Sequence, residues 1–113
     1  NDKNFAWTQH IKNKMLFYSL SEQRIKNVFN IPARKQEGVA RETFAAMKRN
    51  DRGKKKEEIW VMYKRTGQKS KVKSQKLESK ILMISAWRYP GISKADRKIP
   101  IPEDILAELD KII

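Results

Sequence analysis

Ile81-Leu82-Met83-Ile84-Ser85-Ala86-Trp87 is the longest apolar run in the chain, and its length decides the fold class. Seven residues are far short of the roughly 20 that span a bilayer. They match a strand buried on both faces of a sheet. A central strand here is therefore the first expectation. Upstream, Glu58 to Lys64 alternates, with Ile59, Val61 and Tyr63 on one face and Trp60 and Met62 on the other. Two apolar faces again predict a strand inside a sheet, with Trp60 buried and Trp87 partly exposed.

Between these strands, Arg65 to Lys80 is poor in apolar residues and rich in Lys, Ser and Gln. It reads as a long, mobile hairpin loop, and structureless loops of that length usually bind something. Thr43 to Arg49 is expected as a further strand, and Arg34 to Val39 as a short strand or arm. Asn50, Asp51, Arg52 and Gly53 form a turn-rich cluster that closes a hairpin. Trp7, Ile11, Met15 and Tyr18 recur at helical spacing and predict a first helix over Trp7 to Tyr18. A second spans about Ser21 to Asn30 and buries Ile25, Val28 and Phe29, with Pro32 beyond its end. Either Ser19 or Ser21 could cap it, and Ser19 with Glu22 has the capping-box form. Ile105, Leu109 and Ile112 follow Pro102, Glu103 and Asp104, which is the opening of a C-terminal helix. The expected architecture is one α+β domain over residues 1–113. Two N-terminal helices pack on a curved antiparallel sheet of three or four strands, with a helix at the C-terminus.

Charge points to the partner. The 113 residues hold 26 Lys+Arg against 13 Asp+Glu, a formal net charge of +13. Such an excess suits a polyanion, and nucleic acid gains by releasing counterions from its phosphates. An acidic membrane and an acidic protein are the alternative partners, and plain solubility is the bland reading. Lys48, Arg49, Arg52, Lys54, Lys55 and Lys56 surround the Asn50–Gly53 turn. Lys64, Arg65, Lys69, Lys71, Lys73, Lys76 and Lys80 fill the long loop. The two runs are expected to form one continuous positive surface beside the sheet. There is no cysteine and one histidine, so a thiolate or His-rich metal site is not expected, nor is a cofactor. No apolar run suits a membrane, and the first residues carry no basic and apolar leader pattern. A cytoplasmic location is the expectation.

Two segments carry a family resemblance. His10-Ile11-Lys12-Asn13-Lys14-Met15, followed by Leu20-Ser21-Glu22-Gln23-Arg24-Ile25 and Val28, resembles the His-x-x-x-x-Met … Ile-Ser-x-x-x-Ile opening of small bacterial proteins of the RelE/ParE-type toxin superfold. Lys80-Ile81-Leu82-Met83-Ile84-Ser85-Ala86-Trp87-Arg88 is similar to the Ile-Ile-Ser-Ala-Arg strand of BrnT-type ribonuclease toxins. Trp87 stands where those toxins carry the first arginine, with Arg88 one place later. The insertion between Lys64 and Lys80 is also longer than theirs. The resemblance implies a helix pair on a sheet that holds an RNA site, an RNA or ribosome partner, and an acidic antitoxin. It implies cleavage through the 2′-OH, with Arg24 and Arg88 stabilising the phosphorane and His10 or Tyr89 moving the proton.

Read from the residues alone, each of these has a plainer role. His10 is the one side chain whose ordinary pKa lies near neutrality, but it could equally cap the first helix or pack beside Trp7. Arg88 and Tyr89 leave the central strand just before Pro90 and Gly91, where an arginine fork could grip a phosphate or simply lie at the rim. Arg24 could be a solvated helix residue. Trp87 and Tyr89 could stack unpaired bases or belong to the core. Arg34 and Arg49 complete the arginine group, and Glu37 and Glu42 flank the Arg34–Arg49 strands as remote candidates for a base.

Overall fold

The computed structural model describes residues 5–38, 42–66, 80–94 and 98–112. Strand β1 (Phe5–Trp7) leads into helices α1 (Gln9–Tyr18) and α2 (Glu22–Asn30). Strands β2 (Arg34–Glu37), β3 (Thr43–Arg49), β4 (Glu57–Thr66) and β5 (Lys80–Pro90) follow, then helix α3 (Glu103–Ile112). One sheet holds all five strands in the order β1-β5-β4-β3-β2. The architecture is α+β, as the apolar runs predict.

The sheet is not purely antiparallel and has more strands than expected. Phe5, Ala6 and Trp7 pair in parallel with Ile81, Leu82 and Met83, so Trp7 belongs to a strand rather than to the first helix. Three residues are too few to show a period of their own, and Trp7 happens to stand four places before Ile11. Thr8 separates strand from helix. Its Oγ1 accepts from the Ile11 N–H at 3.0 Å and donates to the Ile84 carbonyl at 2.8 Å, capping α1 while holding it against β5.

At the other end of α1, Ser19 takes a left-handed conformation (φ 57°) and closes the helix. Ser21 caps α2, its Oγ accepting from the Arg24 N–H at 3.1 Å. The Ser19–Glu22 capping box is therefore not formed, because Ser19 is spent on the turn between the helices. That tight turn lets α1 lie along the edge of β5 beyond Met83, where β1 has ended, while α2 packs on one face.

The core lies in two clusters, one on each face of the sheet. Ile25 and Val28 of α2 meet Ala46, Ile59, Val61, Tyr63, Ile81, Met83 and Ala86 on the first face. Ile105 and Leu109 of α3 meet Ala45, Met47, Trp60, Met62, Ile84 and Trp87 on the second. Trp60 is buried, as expected. Trp87 is not a partly exposed base stacker: it has 0% exposure and lies parallel to Trp60, ring centroids 6.2 Å apart at 8°.

A β-bulge explains that misplacement. Met62 pairs with Ser85 but Tyr63 pairs with Met83, so Ile84 is an extra residue in β5. One added residue reverses the facing of everything beyond it. Strict alternation from Ile81 and Met83 would put Trp87 on the α2 face and Arg88 on the α3 face. The bulge exchanges them. Trp87 pairs with Trp60 and Arg88 with Ile59, so Arg88 comes to the face shared by α2 and the end of α1.

Candidate functional site

The β3–β4 hairpin builds the site. Its ladder continues past β3 through Asn50 N–H to the Glu57 carbonyl (2.9 Å) and a two-way bridge between Arg52 and Lys55 (2.9 Å each). The tip is Gly53–Lys54, two residues beyond the centre of the Asn50–Gly53 cluster. Gly53 has φ +57°, which glycine adopts at little cost in a tight hairpin. Asp51 Oδ1 accepts from Arg49 Nη2 at 2.6 Å and from the Glu57 N–H at 3.2 Å. The hydrogen bond from Arg49 first, with the one from Glu57 N–H, holds its carboxyl below the usual range.

This hairpin, the C-terminal end of α1 and the end of β5 enclose a cleft of about 700 Å³. Tyr18, Ser19, Asn50, Arg52, Lys55, Lys56, Glu57, Arg88 and Pro90 line it. Four of these are cations and one, Glu57, is an acid. Arg24 joins through Asn50, donating from Nη1 to Asn50 Oδ1 at 3.0 Å. Asn50 in turn donates to Glu57 Oε2 at 2.7 Å, as does Arg88 Nη1 at 2.7 Å. Burial would raise the Glu57 pKa. The bonds from Asn50 and Arg88, with the charges of Arg88 and Arg52, outweigh it and hold the carboxyl low. Glu57 is therefore ionised at neutral pH, with Oε2 accepting both bonds.

Arg88 is a wall of the cleft and a clamp on α1. Nε donates to the Tyr18 carbonyl at 2.7 Å and Nη2 to the Ser19 carbonyl at 3.2 Å. A cation there satisfies carbonyls that the helix end leaves unpaired and complements its dipole. Replacing Arg88 would remove both bonds from the end of α1, so loss of function on that change would be no sign of catalysis. Lys56 reaches Asp51 at 3.8 Å, whereas Arg52, Lys54 and Lys55 make no ion pair among the described residues. Their charge is open to a ligand.

The other candidates lie elsewhere. Tyr89 pairs with Glu58 on the α3 face and packs into the second core. Arg49 also points there, toward the buried Glu58 at 3.5 Å. Glu58 accepts from Trp60 Nε1 (2.9 Å), the Ser93 N–H (3.0 Å) and Ser93 Oγ (2.6 Å). Arg34 covers Trp60 at 5.1 Å and donates to Ser93 at 3.0 Å. Glu37 and Glu42 stand at the opposite end of the sheet, beside the register pair Thr43–Lys64. Lys48 is half-buried in β3 opposite Ile59.

Lys64 and Arg65 are at that far end too, with Arg65 over the Phe29 ring at 5.9 Å. Ten-residue β4 separates them from Lys56, a span of about 30 Å. Among the described residues the two basic runs thus do not make one continuous surface. An antiparallel hairpin necessarily puts consecutive connections at opposite ends of the sheet. Lys69, Lys71, Lys73 and Lys76 lie outside the described residues.

His10 sits in the first turn of α1 and bonds neither Trp7 nor the cleft. Its Nε2 is 2.9 Å from Ser85 Oγ and its Nδ1 is 3.4 Å from Glu108 Oε1. The order Ser–His–Glu matches a nucleophile, base and orienting acid. Ser85, however, has 0% exposure within the sheet, so no substrate reaches it. The trio ties α1, β5 and α3 together.

Burial lowers the His10 pKa from its ordinary 6.5, with Lys14 adding to the shift and Glu108 and Asp104 opposing it. The folded ring takes up its proton at lower pH than the unfolded chain, which does so near 6.5. The unfolded state then binds more protons, so stability falls as pH drops through and below that value. Urea midpoints should be lower at pH 5.5 than at pH 7.5, and His10→Gln should shrink the difference. An unchanged difference would assign the acid sensitivity to other groups. The carboxyls held low (Asp51, Glu57 and Asp104) titrate further down.

Tyr18 was not a site candidate by sequence, because its spacing marks it as core. Burial first, then the charge of Asp104, raises its pKa, so the phenol stays protonated. Among the described residues no group of three His, Cys, Asp or Glu could hold a metal ion, and no helix is long and apolar enough to cross a membrane.

Comparison of the chain with family models, with curated proteins and with solved structures finds no match. The cleft must be read from its chemistry. It offers four cations around one carboxylate that is itself hydrogen-bonded.

Proposed function

We propose that this protein is an RNA-binding module that grips the phosphodiester backbone with the β3–β4 hairpin and its cleft. The observation that carries this reading is the assembly of Arg24, Arg52, Lys55, Lys56 and Arg88 around one concavity whose sole carboxylate is already hydrogen-bonded. Cations with a rigid backbone and a shared direction suit phosphates. The helix pair α1–α2, the antiparallel run β2 to β5 and the closing α3 support assignment to the RelE/ParE-type superfold. In that setting the RNA is free or within a ribosome, and an acidic antitoxin would compete for the same cleft.

Binding is favoured over cutting. Cleavage through the 2′-OH needs a base and an acid at the scissile phosphate, and His10 and Tyr89 face away from the cleft. The test is retention and integrity of a labelled single-stranded RNA, alone and with ribosomes, at increasing salt. Five phosphate contacts at about 0.7 each in the slope of log K against log salt give a loss of about 100-fold between 50 and 200 mM. Salt-indifferent retention would defeat the phosphate reading. Cut products from the purified protein would restore the ribonuclease reading.

A further inference from the structure

The sequence places aromatic faces for RNA on β5, but the bulge buries Trp87 and turns Tyr89 away from the cleft. The structure offers a replacement on α1. Phe17 is 73% exposed and its neighbour Leu16 82%, the two most exposed large apolar side chains among the described residues. They are outside because α1 turns Ile11, Met15 and Tyr18 inward, and positions 16 and 17 fall on the solvent side of the same turn. Phe17 directly precedes Tyr18 and Ser19, which line the cleft. Its ring meets that of Tyr18 edge to face, centroids 4.8 Å apart at 88°. The Lys14 ammonium, paired with Asp104 at 2.6 Å, stands 5.7 Å from its centroid.

We infer that the protein selects single-stranded RNA over duplex, stacking an unpaired base on Phe17 while the neighbouring phosphates lie in the hairpin cleft. The inference rests on the RNA reading of that cleft and adds the class of RNA. An aromatic face next to cations is what unpaired bases stack on. In an A-form duplex the bases are already stacked on one another and leave no face to an aromatic side chain. A protein partner fits the patch less well. Two side chains fall far short of the roughly 800 Å² per partner of a stable interface, and the surface continuing from them into the cleft is cationic rather than apolar.

The test measures dissociation constants for a labelled single-stranded RNA and a blunt RNA duplex of equal length, by fluorescence anisotropy at fixed salt. Phe17→Ala should weaken the single strand about 5- to 150-fold, the range for removing one stacking side chain, and change duplex binding less than twofold. Phe17→Trp should retain single-strand affinity and show quenching of the new indole on binding. Thermal midpoints of both variants should match the parent, since the side chain is outside the core. Equal loss on both RNAs, or no loss on the single strand, overturns the inference while leaving the cleft reading intact. Failure of the parent protein to bind either RNA overturns both. Loss of self-association in Phe17→Ala without loss of RNA affinity would make the patch a protein contact and refute the inference.

Discussion

Replacing Lys54, Lys55 and Lys56 together by alanine is expected to weaken single-stranded RNA binding about 100-fold at 0.1 M salt. All three are exposed on the outer part of the hairpin, and Lys55 and Lys56 line the cleft. Each phosphate contact contributes about 0.7 to the slope of log K against log salt. Three lost contacts remove about 2 from the slope, which at 0.1 M is the 100-fold. The fold should not suffer, because Lys54 and Lys55 make no ion pair among the described residues and Lys56 reaches only the exposed Asp51. Surface pairs of that kind contribute little. The measurement is the salt slope by anisotropy beside a urea melt. A changed slope with an unchanged melt assigns phosphate binding to the hairpin. An unchanged slope removes the hairpin from the binding surface.

The second large effect is on stability. Trp87→Ala should cost about 3–5 kcal/mol, the usual range for removing a buried aromatic. Trp87 is fully buried and stacked on Trp60, so its loss opens a cavity between the sheet and α3. Trp87→Phe should cost much less. It keeps a ring against Trp60 and removes the indole N–H, which has no hydrogen-bond partner among the described residues. A buried donor of that kind forfeits about 1–3 kcal/mol. RNA affinity of Trp87→Phe should equal that of the parent, because the ring faces α3. Weaker RNA binding by a normally folded Trp87→Phe would mean that β5 presents Trp87 to the ligand after all.

These two variants separate what can be read along the chain from what cannot. A strand over Glu58 to Lys64, which the structure extends to Glu57–Thr66, and the burial of Trp60 follow from apolar residues at both parities. The hairpin after Arg49 follows from Asn50, Asp51 and Gly53, and α3 from Pro102 with Glu103 and Asp104. Arg88 and the hairpin lysines were identifiable as candidates because charge clusters are visible in composition. By contrast, the β1 strand was hidden, since Phe5 to Trp7 is too short to repeat a pattern and its pairing to Ile81–Met83 spans most of the sequence. His10 looked like a proton carrier because its type is rare and its ordinary pKa apt. Only the packing of α1 against Ser85 and Glu108 shows where it points.

Residue types and their spacing determined by themselves that the chain forms a sheet with helices and carries a net charge of +13. Local propensity and composition suffice for that, because each depends on near neighbours. Tertiary structure alone decided which of those charges meet. The bulge at Ile84 turned Arg88 toward the end of α1 and Trp87 into the core. The antiparallel pairing of β3 and β4 put Lys64 and Arg65 at the opposite end of the sheet from the β3–β4 hairpin. Facing and register are set by contacts between residues far apart in the chain, and a one-residue slip reverses them.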